Sequence, residues 1–212
     1  MKKKEWILAM LFFSSLWGIS EAALGGALYR ANVPHASVVL SVIGFVVLTF
    51  AWVYFPRAGT GTVIAACAML FKFLNEPFFA CHLLGIFLMG VSYDVFFGVF
   101  RTRSRWLSAL AATYLGYALF ALLITYVFAY GPWPEGGLRK VLGHIAIGGS
   151  LAALANAVLV PWSFLAAERL KGRLASPFSP RFQWASGLIS ATTFVSWVMV
   201  TATYFIGFPP VR

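Results

Sequence analysis

The sequence predicts an all-α integral membrane protein, a bundle of about seven transmembrane helices with a cytoplasmic N-terminus. Of its 212 residues, 61% are hydrophobic and only 10% are charged, whereas soluble domains carry about 25% charged residues. The mean hydropathy is +0.85. A water-soluble core cannot absorb this much apolar surface, so we expect the lipid bilayer to be part of the solvent. We expect residues 1–212 to form a single polytopic membrane domain.

Seven segments are apolar enough to form spans, since a spanning helix needs about 20 largely apolar residues. The third segment is short and contains Lys72, and if it is re-entrant the number of spans falls to six. The basic and apolar start resembles a signal peptide, but its apolar run continues past Glu21, so we interpret it as a retained first helix. The predicted helices cover residues 6–29, 36–55, 60–75, 77–100, 106–130, 141–167 and 184–208.

The loop charges predict the orientation of the bundle. Cytoplasmic loops of membrane proteins carry an excess of Lys and Arg. With a cytoplasmic N-terminus, eleven basic residues face inside, and only four, Arg30, Arg139, Lys140 and Arg212, face outside. The eleven are Lys2, Lys3, Lys4, Arg57, Arg101, Arg103, Arg105, Arg169, Lys171, Arg173 and Arg181.

The same charges do not indicate a nucleic-acid partner. The net charge is +10, but the basic residues lie in short loops between apolar runs, where orientation and contact with lipid headgroups explain them. The sequence contains no Walker loop, no GxGxxG opening a helix, no HExxH and no GxSxG. Cys67 and Cys81 form no CxxC pair. These absences favour a protein that is not an enzyme. A membrane enzyme stays open as a further alternative, with Glu21, Lys72 and His82 as a convergent acid–base set whose spacing names no reaction.

Rare polar residues fall together in the predicted outer half of the bundle. Glu21 lies about eight residues, or roughly 12 Å, below the outer end of helix 1 at 1.5 Å per residue. Ionisable groups inside a membrane mark binding or transport paths more often than packing alone. We therefore predict a ligand site between helices 1, 3, 4 and 6. Its candidate residues are Glu21, Lys72, Asn75, Glu76, His82 and His144.

Each of these side chains has a chemical role in the hypothesis. Glu21 accepts from a ligand amine or hydroxyl, and Lys72 neutralises an acidic group. The imidazoles of His82 and His144 do either or bind a metal. Asn75 and Glu76 form the rim of the site. His35, in the outer loop, is either a lid or plain surface.

Glu21 also carries a structural alternative. Gly18, Ala22 and Gly25 share its helix face, and small residues let another helix approach closely. We expect the carboxylate to face the bundle and to interact with Lys72. The pair either locks helix 1 to helix 3 or serves a ligand, and the sequence leaves both open.

Four polar or aromatic residues carry other interpretations. His82 and His144 lie on different helices, so haem or a transition metal between them is an alternative to hydrogen bonding within the bundle. Asp94, near the inner end of helix 4, is expected to snorkel toward the basic inner loop. Trp133 fits an outer-interface anchor or a loop.

Part of the chain resembles a transporter family. The stretch "WGISEAALGGALYRANVPHASVVLSVIGFVVL", with the later "KFLNEPFFACHLLGIFLMG", is similar to the S components of energy-coupling factor transporters and their uncharacterised membrane relatives, over roughly residues 15–100. The resemblance implies a substrate cavity that opens outward and partner membrane or ATPase subunits. It also implies the cytoplasmic (inner) membrane of a prokaryote.

These observations predict a small-molecule-binding membrane subunit of an uptake transporter, with its ligand site in the outer half of the bundle. The alternative is a membrane anchor or electron-transfer subunit of a larger complex that binds haem through His82 and His144. The identity of the ligand, and of any metal or cofactor, stays open.

Overall fold

Every regular element of the described chain is helical, which confirms the predicted all-α fold. The computed structural model describes residues 3–74, 80–100, 104–174 and 180–206, and they form seven helices. We number them α1 Lys3–Arg30, α2 Ala36–Tyr54, α3 Thr60–Ala68, α4 Ala80–Tyr93, α5 Arg105–Leu122, α6 (Trp133–Gly143 and Ser150–Leu174) and α7 Pro180–Ile206.

Four helices change their winding along their length. Helix α3 tightens into a 3₁₀ segment, Met69–Leu74, and α4 and α5 end in π-helical segments, Asp94–Val99 and Leu123–Val127. A third π-helical segment, His144–Gly149, joins the two parts of α6. Such π segments occur frequently at functional sites, and His144 opens the one in α6.

Five of these helical stretches are long and apolar enough to cross a membrane, so the chain is a multi-pass membrane protein. Two shorter apolar helices, Thr60–Leu74 and Gly187–Ala202, accompany them among the described residues. The third predicted segment is therefore a short helix, in line with its sequence. The five long stretches are Trp6–Arg30, Ala36–Tyr54, Cys81–Val99, Arg105–Val127 and Trp133–Gly172.

The sixth helix differs from the predicted range 141–167. It begins at Trp133, because a tight turn ends the preceding helix: Ala129 and Gly131 have φ values of 45° and 56°. Pro134 then occupies the first helical turn, where its missing N–H costs nothing. Gly137, at φ 49° and ψ −145°, kinks this segment.

The helices pack around a large-residue core. Trp17, Phe45 and Tyr93, from α1, α2 and α4, are fully or almost fully buried. The ring of Tyr93 meets Phe45 edge-on at 5.6 Å and stacks on Phe97 at 4.3 Å. Burying aromatic rings of this size makes a large favourable contribution to the free energy of folding.

Contacts between the ends of helices define two distinct ends of the bundle. At one end, the start of α5 is tied to α6 by an ion pair of 2.6 Å between Arg105 and Glu168. Near it, Lys171 donates to the carbonyl of Val53 at the end of α2. We call this the basic end. The opposite end, at which α1, α3 and α5 end and α2, α4 and α6 begin, is called the cavity end.

Candidate ligand-binding cavity

A cavity of about 270 Å³ lies toward the cavity end. Its volume is near the lower limit of the roughly 300–1,000 Å³ typical of small-molecule sites. Six of the seven helices contribute to its wall, the 3₁₀ extension of α3 included. Its polar side chains are Glu21, Tyr29, Ser37, Ser41, Lys72, Cys81, His82, Tyr117 and His144, and its larger apolar ones are Leu40, Ile86, Met89, Phe120 and Trp133.

A buried ion pair forms one wall of the cavity. Lys72 Nζ lies 2.9 Å from Glu21 Oε2, and it also donates to the backbone carbonyl of Glu21 at 2.8 Å. The two residues are 2% and 3% exposed. The indole N–H of Trp17 donates to Glu21 Oε1 at 3.4 Å. The predicted interaction between Glu21 and Lys72 is therefore present, and it holds the extension of α3 against α1.

Small residues of α1 make this close approach achievable. A Cβ on Gly25 would lie 3.1 Å from Lys72 Nζ, and a Cβ on Gly18 would lie 2.4 Å from the ring of Phe71. A side chain at Gly18 would displace the ring of Phe71, and one at Gly25 would press on the ammonium of Lys72. This confirms that the small-residue face of α1 receives a neighbouring helix.

Both predicted histidines line the cavity, and each imidazole is stacked on a tyrosine. His82 lies parallel to Tyr29, with ring centroids 4.8 Å apart and planes 19° apart. His144 lies over Tyr117, at 5.1 Å and 24°. Aromatic contacts of this kind fix the planes of the rings. The two stacked pairs come from four different helices, and all four rings border the cavity.

Tyr117 is a cavity residue that the sequence alone did not indicate. It is 6% exposed, and its hydroxyl has no hydrogen-bond partner among the described residues. The hydroxyls of Ser37 and Ser41 lie near it without forming a hydrogen bond of acceptable geometry. The sequence offers only a weak signal for a polar cavity wall here, which is that Ser37 and Ser41 are one helical turn apart at the start of α2.

The remaining predicted site residues have different outcomes. Asn75 and Glu76 lie outside the described residues. His35 immediately precedes α2, is exposed, and is not part of the cavity wall, which agrees with its interpretation as plain surface.

Trp133 is not a loop residue, because it begins α6 and forms part of the cavity wall. Its ring meets His144 edge-on at 5.2 Å and Phe120 at 5.4 Å, and it forms part of the cavity wall. The ammonium of Lys140 lies over the same ring, with Nζ 5.1 Å from its centroid. The kink at Gly137 separates this residue from the main part of α6, so sequence periodicity could not place it.

Asp94 does not snorkel toward the basic loop. It is 6% exposed and accepts hydrogen bonds from the backbone N–H groups of Gly61 at 3.0 Å and Thr62 at 2.6 Å, and from the Thr62 hydroxyl. These amides belong to the first turn of α3, where helix N–H groups have no partner within the helix. The N-cap residue, Gly59, has no side chain to satisfy them, so α4 supplies the cap.

The cavity suits a ligand held by hydrogen bonds and ring contacts. Glu21 and Lys72 neutralise each other, so the wall has no net charge unless a histidine is protonated. Among the described residues, no group of three or more His, Cys, Asp or Glu side chains is arranged to hold a metal ion. The donors and acceptors present are those of small-molecule recognition, a few polar groups set in an aromatic and apolar wall.

Comparison with known proteins adds no assignment. No family model, curated protein or solved structure matches the chain. The chemistry of the cavity therefore carries the functional assignment.

Proposed function

We propose that this protein is the small-molecule-binding membrane subunit of an uptake transporter, and that the cavity lined by Glu21, Lys72, His82 and His144 is its ligand site. The observation that carries the proposal is the position of a buried ion pair in the wall of a cavity, toward one end of a membrane bundle. A buried pair that served only to join two helices would not need a cavity beside it.

The orientation of the cavity supports uptake. The predicted topology places eleven of the sixteen basic residues, in the N-terminal segment, the helix ends and the connections, on the side of the opposite end, and the excess of Lys and Arg favours the cytoplasmic side. The cavity then opens in the outer half of the membrane, where a ligand arrives from outside the cell. The resemblance to energy-coupling factor S components favours the same orientation and the inner membrane of a prokaryote.

Transport needs an energy source that this chain does not supply. Its sequence has no phosphate-binding loop, so the proposed transporter includes partner subunits with ATPase activity. The basic end, which faces the cytoplasm in this orientation, is the surface available to them.

Selection of ligands from a mixture tests the proposal. Purified protein in detergent is incubated with an extract of bacterial metabolites, and the retained compounds are identified by mass spectrometry. Gly85→Leu fills the cavity, because Gly85 lines it and a Cβ there meets only Phe120, at 3.7 Å. Gly187→Leu is the matched control, since Gly187 is exposed and has nothing within 4 Å.

We expect wild type and Gly187→Leu to retain the same compound and Gly85→Leu to lose it. Cells that express the protein with its co-purifying ATPase partners are then expected to accumulate that compound. Equal retention by all three proteins, or retention without accumulation, would contradict the proposal. A Soret band in the same preparation would instead favour the haem-binding alternative, because both imidazoles line the cavity.

A further inference from the structure

We infer that the ligand of this cavity is an uncharged, planar aromatic molecule that carries a hydrogen-bond acceptor, and that the Tyr117 hydroxyl is one of the donors that bind it. This inference rests on the proposed function and specifies its substrate class. Three independent features of the cavity support it: hydrogen-bond donors without a full set of partners, aromatic rings in the wall, and an ion pair whose two charges neutralise each other.

The hydrogen-bond donors of Tyr117 and Lys72 favour a ligand that carries a hydrogen-bond acceptor. A buried hydroxyl without a partner is costly, and such groups are rare in folded proteins. The Tyr117 hydroxyl is in that position among the described residues. Lys72 has three N–H donors, and its two hydrogen bonds within the described chain both go to Glu21. A carbonyl or ring nitrogen in the cavity would satisfy such donors.

The aromatic rings in the cavity wall favour a planar aromatic ligand. The stacked pairs Tyr29–His82 and Tyr117–His144 both border the cavity, and Trp133 and Phe120 add two further rings. Offset or edge-on contacts between rings stabilise an aromatic ligand beyond simple area burial. A saturated molecule of equal size lacks this contribution.

The ion pair disfavours a charged ligand. Glu21 already neutralises Lys72 at 2.9 Å, so a carboxylate in the cavity would meet a cation whose charge is compensated. A buried charge without its own partner is strongly unfavourable. An uncharged acceptor avoids this cost while still using the free donors.

Three probes with the same number of heavy atoms separate these properties. Benzamide is planar, aromatic and uncharged, with a carbonyl acceptor. Benzoate keeps the ring but is an anion, and cyclohexanecarboxamide keeps the amide but is saturated. Cys81 lines the cavity, so a Cys67→Ser background leaves one thiol whose reaction with a membrane-impermeant methanethiosulfonate reports occupancy. We expect millimolar benzamide to slow this reaction at least about threefold more than either other probe.

Tyr117→Phe tests the role of the hydroxyl. We expect it to raise the half-protecting concentration of benzamide by about threefold to tenfold, because one hydrogen bond is lost. The melting temperature of the ligand-free protein should stay the same or rise, since an unpartnered buried hydroxyl is removed. Tyr114→Phe is the matched control on the same helix. The Tyr114 hydroxyl is bonded to Ser150 Oγ at 2.7 Å, so this change should lower the melting temperature and leave benzamide protection unchanged.

The outcomes separate this inference from the proposed function. Equal or better protection by benzoate or cyclohexanecarboxamide would overturn the ligand class while keeping the cavity as a binding site. Absence of protection by benzamide, or unchanged protection in Tyr117→Phe, would also overturn the inference. In each case the retention experiment with Gly85→Leu still decides on its own whether the protein is a binding subunit.

Discussion

At the scale of single residues, the pair Glu21–Lys72 dominates because both charges are buried. Glu21→Ala leaves the ammonium of Lys72 with only a backbone carbonyl, and removal of one partner of a buried pair costs about 3–5 kcal/mol of the free energy of unfolding. The double variant Glu21→Ala/Lys72→Met removes both charges and should recover part of the loss. Chemical denaturation in detergent measures the cycle, and additive losses would mean that the two residues do not couple.

The ion pair between Arg105 and Glu168, the second among the described residues, is the control for this cycle. Glu168→Ala breaks the contact with Arg105. The side chains of Arg105 and Glu168 are 42% and 45% exposed. Exposed pairs contribute about 1 kcal/mol or less, because water and salt screen them. The same Glu-to-Ala change should therefore cost much less at this position than at residue 21.

At the scale of elements, α3 depends on α4 for its start. Asp94→Ala leaves the N–H groups of Gly61 and Thr62 without their acceptor, and loss of a helix cap costs about 1–2 kcal/mol. We expect faster amide hydrogen exchange at both positions. Asp94→Asn keeps one oxygen acceptor and should lie between wild type and Asp94→Ala. Unchanged exchange in Asp94→Ala would contradict the assignment of Asp94 as the cap of α3.

The first turn of α6 is a second element whose position bears on the cavity. The ring of Trp133 covers part of the wall beside His144, so Trp133→Ala should open the cavity. In the Cys67→Ser background, the membrane-impermeant thiol reagent should then label Cys81 several times faster. Leu138→Ala is the control, because Leu138 is exposed on the same segment and does not line the cavity. Equal acceleration by both changes would mean that the whole segment loosens.

At the scale of the whole molecule, the orientation in the membrane decides which side the cavity faces. The loop charges predict a cytoplasmic basic end. In a variant without native cysteines, Arg169→Cys should react with an impermeant reagent only after the cells are permeabilised. Glu135→Cys, exposed near the cavity end, should react in intact cells. The opposite pattern would invert the protein and place the cavity in the inner half of the membrane.

The sequence by itself determined the class of the molecule and indicated several of the residues that line its cavity. Transfer of a segment into lipid depends on the sum of its residues, so most of the helical ranges follow from composition along the chain, the start of the sixth helix excepted. A charge inside such a segment stands out for the same reason, which is how Glu21 and Lys72 could be predicted to interact.

Only the tertiary structure decided how the helix faces meet. Three features depend on how residues from different helices come together: the position of the Tyr117 hydroxyl without a partner among the described residues, the cap that Asp94 provides for α3, and the place of Trp133 in the cavity wall. Tyrosine, aspartate and tryptophan are compatible with many positions in a bundle, and their partners depend on rotations and approaches of helices that periodicity does not encode. The cavity forms where the side chains of six helices fail to fill the space between them, because it is a property of their joint packing.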